Sequence, residues 1–220
     1  MKKLIPFLMT ALALPALGAN YTVVPNWAKV PTGEKQIGSM HGDVAVSSKG
    51  EVYVSVQGGP KAGVQVYSAK GKYLRNVPKA PPDFHGFVIR KLNDGEHIYG
   101  PRLGGQNILK LTLDGKVKLN IPASTIPNEH KNGNRVRLTA MDVAPNGDLF
   151  VVDGYSSDKI HHFDKAGKYI KSFGGKSKGG FGTKTLHKIC IDTRYDPARI
   201  LGADREGLRL IHVSLEGEFL

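Results

Sequence analysis

Short alternating runs of apolar and polar residues, separated by turn-forming residues, fill the chain from about residue 40 onward. Two of these stretches match each other, Asp43–Val54 (DVAVSSKGEVYV) and Asp142–Val151 (DVAPNGDLFV). Each contains an alternating segment, a turn that closes on glycine and a second alternating segment, which is the pattern of two strands joined in a hairpin. After the first 20 residues no useful length of sequence carries apolar residues at helical spacing. The pattern therefore predicts an all-β protein.

A second set of glycine turns recurs at long intervals in the same region. These glycines lie 44, 52 and 50 residues apart, at Gly71, Gly115, Gly167 and Gly217. Together with the hairpins, this spacing gives four short strands in each interval. A four-stranded antiparallel unit that repeats about every 45 to 50 residues is the pattern of a β-propeller blade. The sequence therefore predicts a propeller with about four blades, at roughly 38–78, 83–122, 137–174 and 183–220.

The last predicted blade ends at Leu220, inside the segment expected to form its outermost strand. Two interpretations follow from this observation. Either the chain is truncated and belongs to a longer propeller, or it pairs its open blade edges with another molecule, because exposed strand edges favour association. Self-association through these open edges is the corresponding expectation for a partner.

The first 18 residues have the features of a signal peptide. Lys2 and Lys3 precede an apolar run from Leu4 to Leu17, and small residues follow around Gly18. The alternative, a membrane anchor, is disfavoured because the run is shorter than the roughly 20 apolar residues of a spanning helix. We expect an exported protein, periplasmic or secreted, whose propeller occupies residues 19–220 and has no membrane span.

Composition narrows the classes of partner. The chain has a formal net charge of +12, with lysines spread mostly over the predicted turns, and it contains one cysteine, Cys190. A solvated positive surface explains this distribution at least as well as a nucleic-acid groove, and export makes nucleic acid a poor partner. The charge is compatible with an anionic envelope surface or an acidic ligand as partner. Cys190 lies in an apolar run and is predicted to be a buried core thiol, so packing and strand pairing must hold the fold.

The topology of a blade selects a candidate site. The start of the first strand and the end of the second lie at one end of the sheet, so residues at both positions converge on the propeller axis. Three of the four first-strand starts carry histidine, namely His41, His85 and His187, whereas the third blade has Ala140. Three imidazoles around one axis suit a metal ion such as zinc, which leaves one position open for water or substrate. The alternative is that each histidine caps a polar turn.

The remaining histidines have no such equivalents. His161 and His162 lie on a predicted third strand and His130 lies in a polar loop, and we predict that all three are at the surface.

The ends of the second strands carry a resemblance to a known family. The stretch Asp153–Asp164 (DGYSSDKIHHFD) resembles the turn and strand of an NHL repeat, and Thr185–His187 with Gly202–Glu206 resembles the next blade of the same group. Within this group the chain is similar to the peptidylglycine α-hydroxyglycine amidating lyase domain, a six-bladed propeller. The blade pattern of this family extends over essentially the whole chain after the signal peptide. Its more specific motifs lie between about Met141 and Leu210.

The resemblance implies a set of site residues. His85 and His187 match two of that family's three zinc ligands, Tyr155 matches its proposed base, and Arg205 matches one substrate-anchoring arginine. A tyrosine ionises near pH 10 in water, so it needs a neighbouring cation or metal to act as a base. An arginine can hold a carboxylate through two hydrogen bonds.

The chain also departs from the family pattern. The third family histidine would lie beyond Leu220, and His41 is an additional axial histidine. The second family arginine falls near Val56 or Gln57, so Arg102, in the equivalent loop one blade later, is the candidate substitute for substrate binding. From the sequence we therefore expect a binding or scaffold module that presents its axial face to a small peptide or carboxylate-bearing ligand. The alternative is a zinc-dependent, amidating-lyase-like enzyme that uses the same residues.

Overall fold

Strands dominate the structure because β-branched and aromatic residues alternate with polar ones between glycine turns. The structure is a computed structural model that describes residues 21–133, 135–177 and 179–220, so the predicted signal peptide lies outside the described residues. Within these ranges the helical structure is two short 3₁₀ helices, Ala123–Thr125 and Asn128–His130. No described helix is long and apolar enough to span a bilayer.

The strands form four antiparallel sheets, each a meander in chain order, which we call blades one to four. Blade one contains β1 (Val44–Val46), β2 (Val52–Val56), β3 (Gly63–Tyr67) and β4 (Tyr73–Asn76). Blade two contains β5 (Val88–Leu92), β6 (Gly95–Pro101), β7 (Asn107–Thr112) and β8 (Val117–Pro122). Blade three contains β9 (Ala140–Val143), β10 (Leu149–Val152), β11 (Lys159–Phe163) and β12 (Tyr169–Gly174). Blade four contains β13 (Leu186–Asp192), β14 (Arg199–Asp204) and β15 (Arg209–Ser214), followed by an isolated bridge between Val213 and Phe219. This arrangement confirms the predicted all-β propeller architecture.

Neighbouring blades pack face to face through separate apolar clusters. Tyr53 and Phe87 belong to the cluster between blades one and two, and Tyr99 and Phe163 belong to the one between blades two and three. Phe150 belongs to the cluster between blades three and four. Because each cluster draws residues from two sheets, the apolar faces of the alternating strands hold the blades around one axis.

The segment before β1 covers the free face of blade one. Trp27 and Ile37 pack against Val56 and Tyr67 of that face. Gly71 makes this approach possible, since a Cβ atom there would lie 1.8 Å from the carbonyl oxygen of Trp27. Its φ of +77° is also one that other residues rarely adopt. The turn glycine therefore serves both the hairpin and the docking of the preceding segment.

Charged side chains join the innermost strands across the axis. Asp142 on β9 is fully buried and accepts a hydrogen bond from the Arg90 guanidinium of β5 at 2.7 Å. The same carboxylate accepts the backbone N–H of Ile191 on β13, also at 2.7 Å. Asp43, at the matching position of the repeat, pairs with Lys188 of blade four. The two aspartates therefore link the inner strands of all four blades.

Two sequence predictions about single side chains differ from the structure. His161 was predicted at the surface, but it is fully buried, and its Nδ1 atom lies 2.7 Å from the Ser172 hydroxyl. The prediction was wrong because β11 is an interior strand of its sheet and this side chain lies on the covered face. Cys190 is half-buried rather than a core thiol.

We expect buried His161 to make the protein less stable in mild acid. Burial, with the nearby His130 and Lys159, lowers the pKa of His161 to about 3. In the unfolded chain a histidine titrates near pH 6.5, so the unfolded state binds more protons than the folded state between these values. Stability therefore falls as the pH decreases through 6.5, by about 2 kcal/mol between pH 7 and pH 5 from this group.

Chemical denaturation of the wild type and of His161→Asn at both pH values measures this effect. Asparagine retains a polar partner for Ser172 and does not titrate, so the pH-dependent loss should shrink by about 2 kcal/mol in this variant. His212→Asn, on half-buried His212 of β15, serves as the matched control. An identical pH dependence in the wild type and His161→Asn would contradict the assignment.

Candidate functional site

Three histidines meet at one end of the propeller axis. His41 precedes β1, His85 precedes β5 and His187 lies in β13, so each comes from the innermost strand region of a different blade. One ring nitrogen of each lies within 4.8 Å of the corresponding nitrogens of the other two. The ring centroids are 5.0 Å apart for His41 and His85 and 4.9 Å apart for His85 and His187. The fold therefore brings together the three axial histidines that the repeat pattern aligned.

The hydroxyl group of Tyr155 lies between these histidines. It is 3.3 Å from Nε2 of His41, 3.0 Å from Nε2 of His85 and 2.9 Å from Nε2 of His187. We refer to these four residues as the axial cluster. A single phenol oxygen thus contacts the imidazoles of three blades.

The turn after β10 holds Tyr155 in this position. The buried Asp153 carboxylate accepts the backbone N–H of Arg137 at 2.5 Å through one oxygen. Its other oxygen accepts the backbone N–H of Ser157 at 3.1 Å and the Ser157 hydroxyl at 2.7 Å. Burial raises the pKa of the Asp153 carboxyl, although these donors oppose the shift. The aspartate of the Asp-Gly-Tyr turn therefore organises the loop that carries the phenol.

Hydrogen-bond accounting assigns the protons of the axial cluster. Nδ1 of His85 lies 2.9 Å from the carbonyl oxygen of Thr139, so Nδ1 carries the proton and Nε2 carries a lone pair. The Tyr155 hydroxyl then donates to His85, and its two lone pairs accept Nε2–H from His41 and His187. Every Nε2 atom of the cluster has a partner in this arrangement.

The local environment keeps the better-shielded imidazoles neutral. Burial, with the neighbouring His85 and Arg205, lowers the pKa of His187 to about 4. Burial also lowers the pKa of His85, which is only 5% exposed, although the bond to Thr139 opposes this. Neutral imidazoles have the lone pairs that a metal ion requires. The donor set of three imidazoles near one hydroxyl fits zinc, because a catalytic zinc site has three protein ligands and one open position.

Two guanidinium groups flank the phenol ring. Cζ of Arg137 lies 5.4 Å from the centroid of the Tyr155 ring, and Cζ of Arg205 lies 5.6 Å from it. Arg205 also pairs with Glu206 at 2.9 Å. Their charges favour an anionic group at the mouth of the axis.

Arg137 was missed in the sequence, where Arg102 was the candidate second arginine. The structure places Arg102 in an ion pair with Asp83, with 2.7 Å between Nε and Oδ1, whereas the guanidinium of Arg137 contacts Tyr155. A signal was available, because Arg137 lies three residues before Ala140, which takes the place of an axial histidine at the start of the innermost strand of its blade.

Two cavities border the axial cluster. One of about 310 Å³ lies at the histidines and includes Asp43, Lys188 and Thr139 in its wall. The other, of about 760 Å³, extends from Tyr155 and Arg137 toward Arg135. A volume of this size accommodates a small organic ligand. The axial cluster is therefore accessible from a cleft with basic walls.

No model of a known protein family matches the chain. Solved structures do resemble it. A catalytically inactive virginiamycin B lyase from Staphylococcus aureus, with quinupristin, is 17% identical with a TM-score of 0.55, over 80% of this chain and 53% of that one. A streptogramin B lyase is 18% identical with a TM-score of 0.54, over 80% and 52%. A gluconolactonase from Xanthomonas campestris is 13% identical with a TM-score of 0.54, over 80% and 59%.

At these identities the similarity shows the β-propeller fold alone. The chain spans about half the length of the two lyases that it matches.

Proposed function

We propose that the axial cluster is the active site of a zinc-dependent, lyase-type enzyme that acts on a small substrate bearing a carboxylate. The observation that carries this proposal is the position of Tyr155, whose hydroxyl lies within 3.3 Å of three histidine nitrogens and whose ring centroid lies within 5.6 Å of two guanidinium carbons. A capping role for each histidine does not account for their convergence on one phenol.

In this proposal Nε2 of His41, His85 and His187 would hold the zinc ion, and the protons that His41 and His187 carry on Nε2 would move to Nδ1 or to solvent when the metal binds. When bound, zinc would supply a Lewis acid that polarises an oxygen atom of the substrate. The Thr139 carbonyl supports this role, because it fixes the proton of His85 on Nδ1 and directs the lone pair of Nε2 toward the cluster.

Tyr155 is the proposed general base. With zinc bound, the phenol would first lose its own proton to solvent, and for an α-hydroxy-amide the phenolate oxygen would take the proton of the α-hydroxyl group and later give it to the departing nitrogen. The electron pair of that O–H bond would form a carbonyl while the carbon–nitrogen bond breaks, and the departing amide nitrogen would gain a proton. The guanidinium groups of Arg137 and Arg205 lie 5.4 and 5.6 Å from the centroid of the ring, where they would stabilise negative charge that develops during the reaction.

The two arginines also provide the proposed anchor for the substrate carboxylate. A guanidinium group can donate two parallel hydrogen bonds to a carboxylate, which fixes its orientation as well as its position. Arg137 is exposed and lines the larger cavity, so its donors face the space that a substrate would enter. Arg102 would remain in its pair with Asp83 and would act at the rim of the same region.

We further propose that this enzyme is of the NHL type and similar to the amidating lyase. The Asp-Gly-Tyr turn and the placement of His85, His187 and Arg205 support it, and two of the similar solved structures are lyases by name. The signal-peptide pattern of residues 1–18 supports export, which would place the enzyme in the periplasm or outside the cell.

A second candidate function is a non-catalytic binding module. The hydrogen bonds of Tyr155 satisfy all three Nε2 atoms without any ligand, so the axial cluster is complete as a purely structural network. In that case the basic cleft beside Arg137 would hold a small peptide or a carboxylate-bearing ligand without chemical change.

Turnover of an N-acyl-α-hydroxyglycine tests the proposal. The zinc-loaded protein should release glyoxylate and the corresponding amide, and removal of zinc by a chelator should stop the release. Tyr155→Phe should lower the rate by about 10²-fold or more, because it removes the general base and keeps the ring. Tyr195→Phe, a change of an exposed tyrosine in blade four, should leave the rate unchanged.

Glyoxylate release is the readout that separates the two functions. Saturable binding of the compound to the zinc-loaded wild type without any glyoxylate would favour the binding module. Equal rates for the wild type and Tyr155→Phe would contradict the assigned base.

A further inference from the structure

A second cleft opens between blades two and three at the end of the propeller opposite the axial cluster. We call it the lower cleft and define it by Lys91, Asp94, Tyr99, Lys110 and Lys165, which line a cavity of about 740 Å³. Its rim is built from strand turns, because the turn between β5 and β6 and the turn between β9 and β10 both lie at this end. The lower cleft is thus separate from the proposed active site.

Tyr99 and Lys110 place mostly buried hydrogen-bond donors in the wall of the lower cleft. The Tyr99 side chain is 2% exposed, and its hydroxyl has no hydrogen-bond partner among the described residues. The Lys110 side chain is 13% exposed, and its ammonium group pairs with the Asp94 carboxylate. An ammonium group has three N–H donors, so this pair leaves donors of a mostly buried cation without a carboxylate. Leaving buried donors unpaired is unfavourable, and an acceptor entering the cleft would relieve it.

Charge in the lower cleft is positive and comes from both blades. Lys91 and Lys110 belong to blade two, and Lys165 belongs to the turn between β11 and β12 of blade three. Within the described ranges no carboxylate lies within 4.0 Å of the ammonium groups of Lys91 or Lys165. Asp94 is the one acidic residue in the wall, and it is more than half exposed.

From this arrangement we propose that the lower cleft binds a small polyvalent oxyanion, a polycarboxylate or a phosphate compound. Its oxygens would accept hydrogen bonds from the Tyr99 hydroxyl and the Lys110 ammonium group, while Lys91 and Lys165 neutralise its remaining charge. Oxyanions suit the site because they offer several acceptors and no competing donors. Since the lysines come from two blades, the bound anion joins blade two to blade three and stabilises the folded propeller.

Calorimetric titration with citrate and with pyrophosphate, at constant ionic strength, tests this proposal on metal-free protein. At least one of the two should bind and raise the melting temperature, and the stronger of them identifies the class. Tyr99→Phe removes only an unpaired hydroxyl, so the variant without ligand should be as stable as the wild type. It should nevertheless bind the anion about 5- to 10-fold more weakly. Lys165→Met should weaken binding by a similar factor.

Two further variants separate this site from the rest of the surface. Lys72→Met, a change of an exposed turn lysine on blade one, should bind as the wild type does if the effect is local to the lower cleft. Arg205→Met, a change at the axial mouth, should also leave this binding intact, so failure of the proposed enzyme function would not affect the result. Unchanged affinity in both Tyr99→Phe and Lys165→Met would overturn the proposal. The absence of binding by either anion at concentrations up to about 10 mM would overturn it as well.

Discussion

Replacing His187 by alanine is expected to lower the affinity of the protein for zinc by about 10²- to 10³-fold. A structural zinc site of four ligands contributes roughly 10–16 kcal/mol, so one ligand accounts for about 2.5–4 kcal/mol, and about 1.4 kcal/mol is a tenfold change. His187 is the member of the axial cluster that lies closest to the Tyr155 hydroxyl, at 2.9 Å. Burial, with the neighbouring His85 and Arg205, lowers the pKa of this residue to about 4, so the imidazole is neutral and offers a lone pair to zinc at Nε2 once its proton lies on Nδ1.

Calorimetric titration of zinc into the wild type and His187→Ala at pH 7 measures the loss. His212→Ala is the matched control, since His212 lies on β15 of the same blade and is also half-buried, but it is not part of the axial cluster. His161 is unsuitable as a control because it is fully buried, and its removal would change stability. Equal zinc affinity in the wild type and His187→Ala would show that the axial histidines are not the zinc site.

Replacing Asp142 by asparagine is expected to lower the free energy of unfolding by about 2–4 kcal/mol. One carboxylate oxygen accepts the backbone N–H of Val143 at 2.7 Å, and the other accepts N–H groups of Ile191 and Arg90. Asparagine offers one acceptor oxygen and one NH₂ group, so at least one donor would face another donor. The charge that balances Arg90 would also be lost in a fully buried position.

Asp43→Asn provides the matched control for this prediction. Asp43 occupies the same repeat position and accepts the backbone N–H of the next residue, Val44, at 3.0 Å. Its side chain is 20% exposed, and its partner Lys188 is 41% exposed. A solvent-exposed pair of this kind contributes about 0–1 kcal/mol.

Thermal and urea unfolding of both variants give the comparison. We expect the melting temperature of Asp142→Asn to fall by roughly 5–15 °C and that of Asp43→Asn to fall by a few degrees at most. Losses of equal size would show that burial of the carboxylate does not determine the strength of these cross-blade links.

The blade pattern could be predicted because it depends on local properties of the chain. Alternation of apolar and polar residues has the period of a strand, and turn glycines such as Gly71 and Gly115 meet the positive φ of a tight turn. Meander topology then aligns equivalent positions of successive blades. For this reason the repeat was sufficient to single out His85, His187 and Tyr155 as residues at one end of the axis.

The partners of individual side chains could not be predicted in the same way. Arg137, rather than Arg102, lies beside the Tyr155 ring, and His161 lies in the interior. Asp43 and Asp142 share a repeat position and a local hydrogen bond, yet they differ in exposure. The spacing of residues along the chain does not show whether a neighbouring blade packs over the sheet face on which a side chain lies.

The sequence by itself determined the strands, their turns and the group of residues that converges on the axis, because each follows from the periodicity of one blade and from its repetition. Only the tertiary structure decided that one phenol contacts three imidazoles, that Arg137 joins Arg205 beside it, and that an unpaired Tyr99 hydroxyl borders a cleft of lysines. These contacts form between blades, and the geometry between blades depends on the packing of whole sheets against each other.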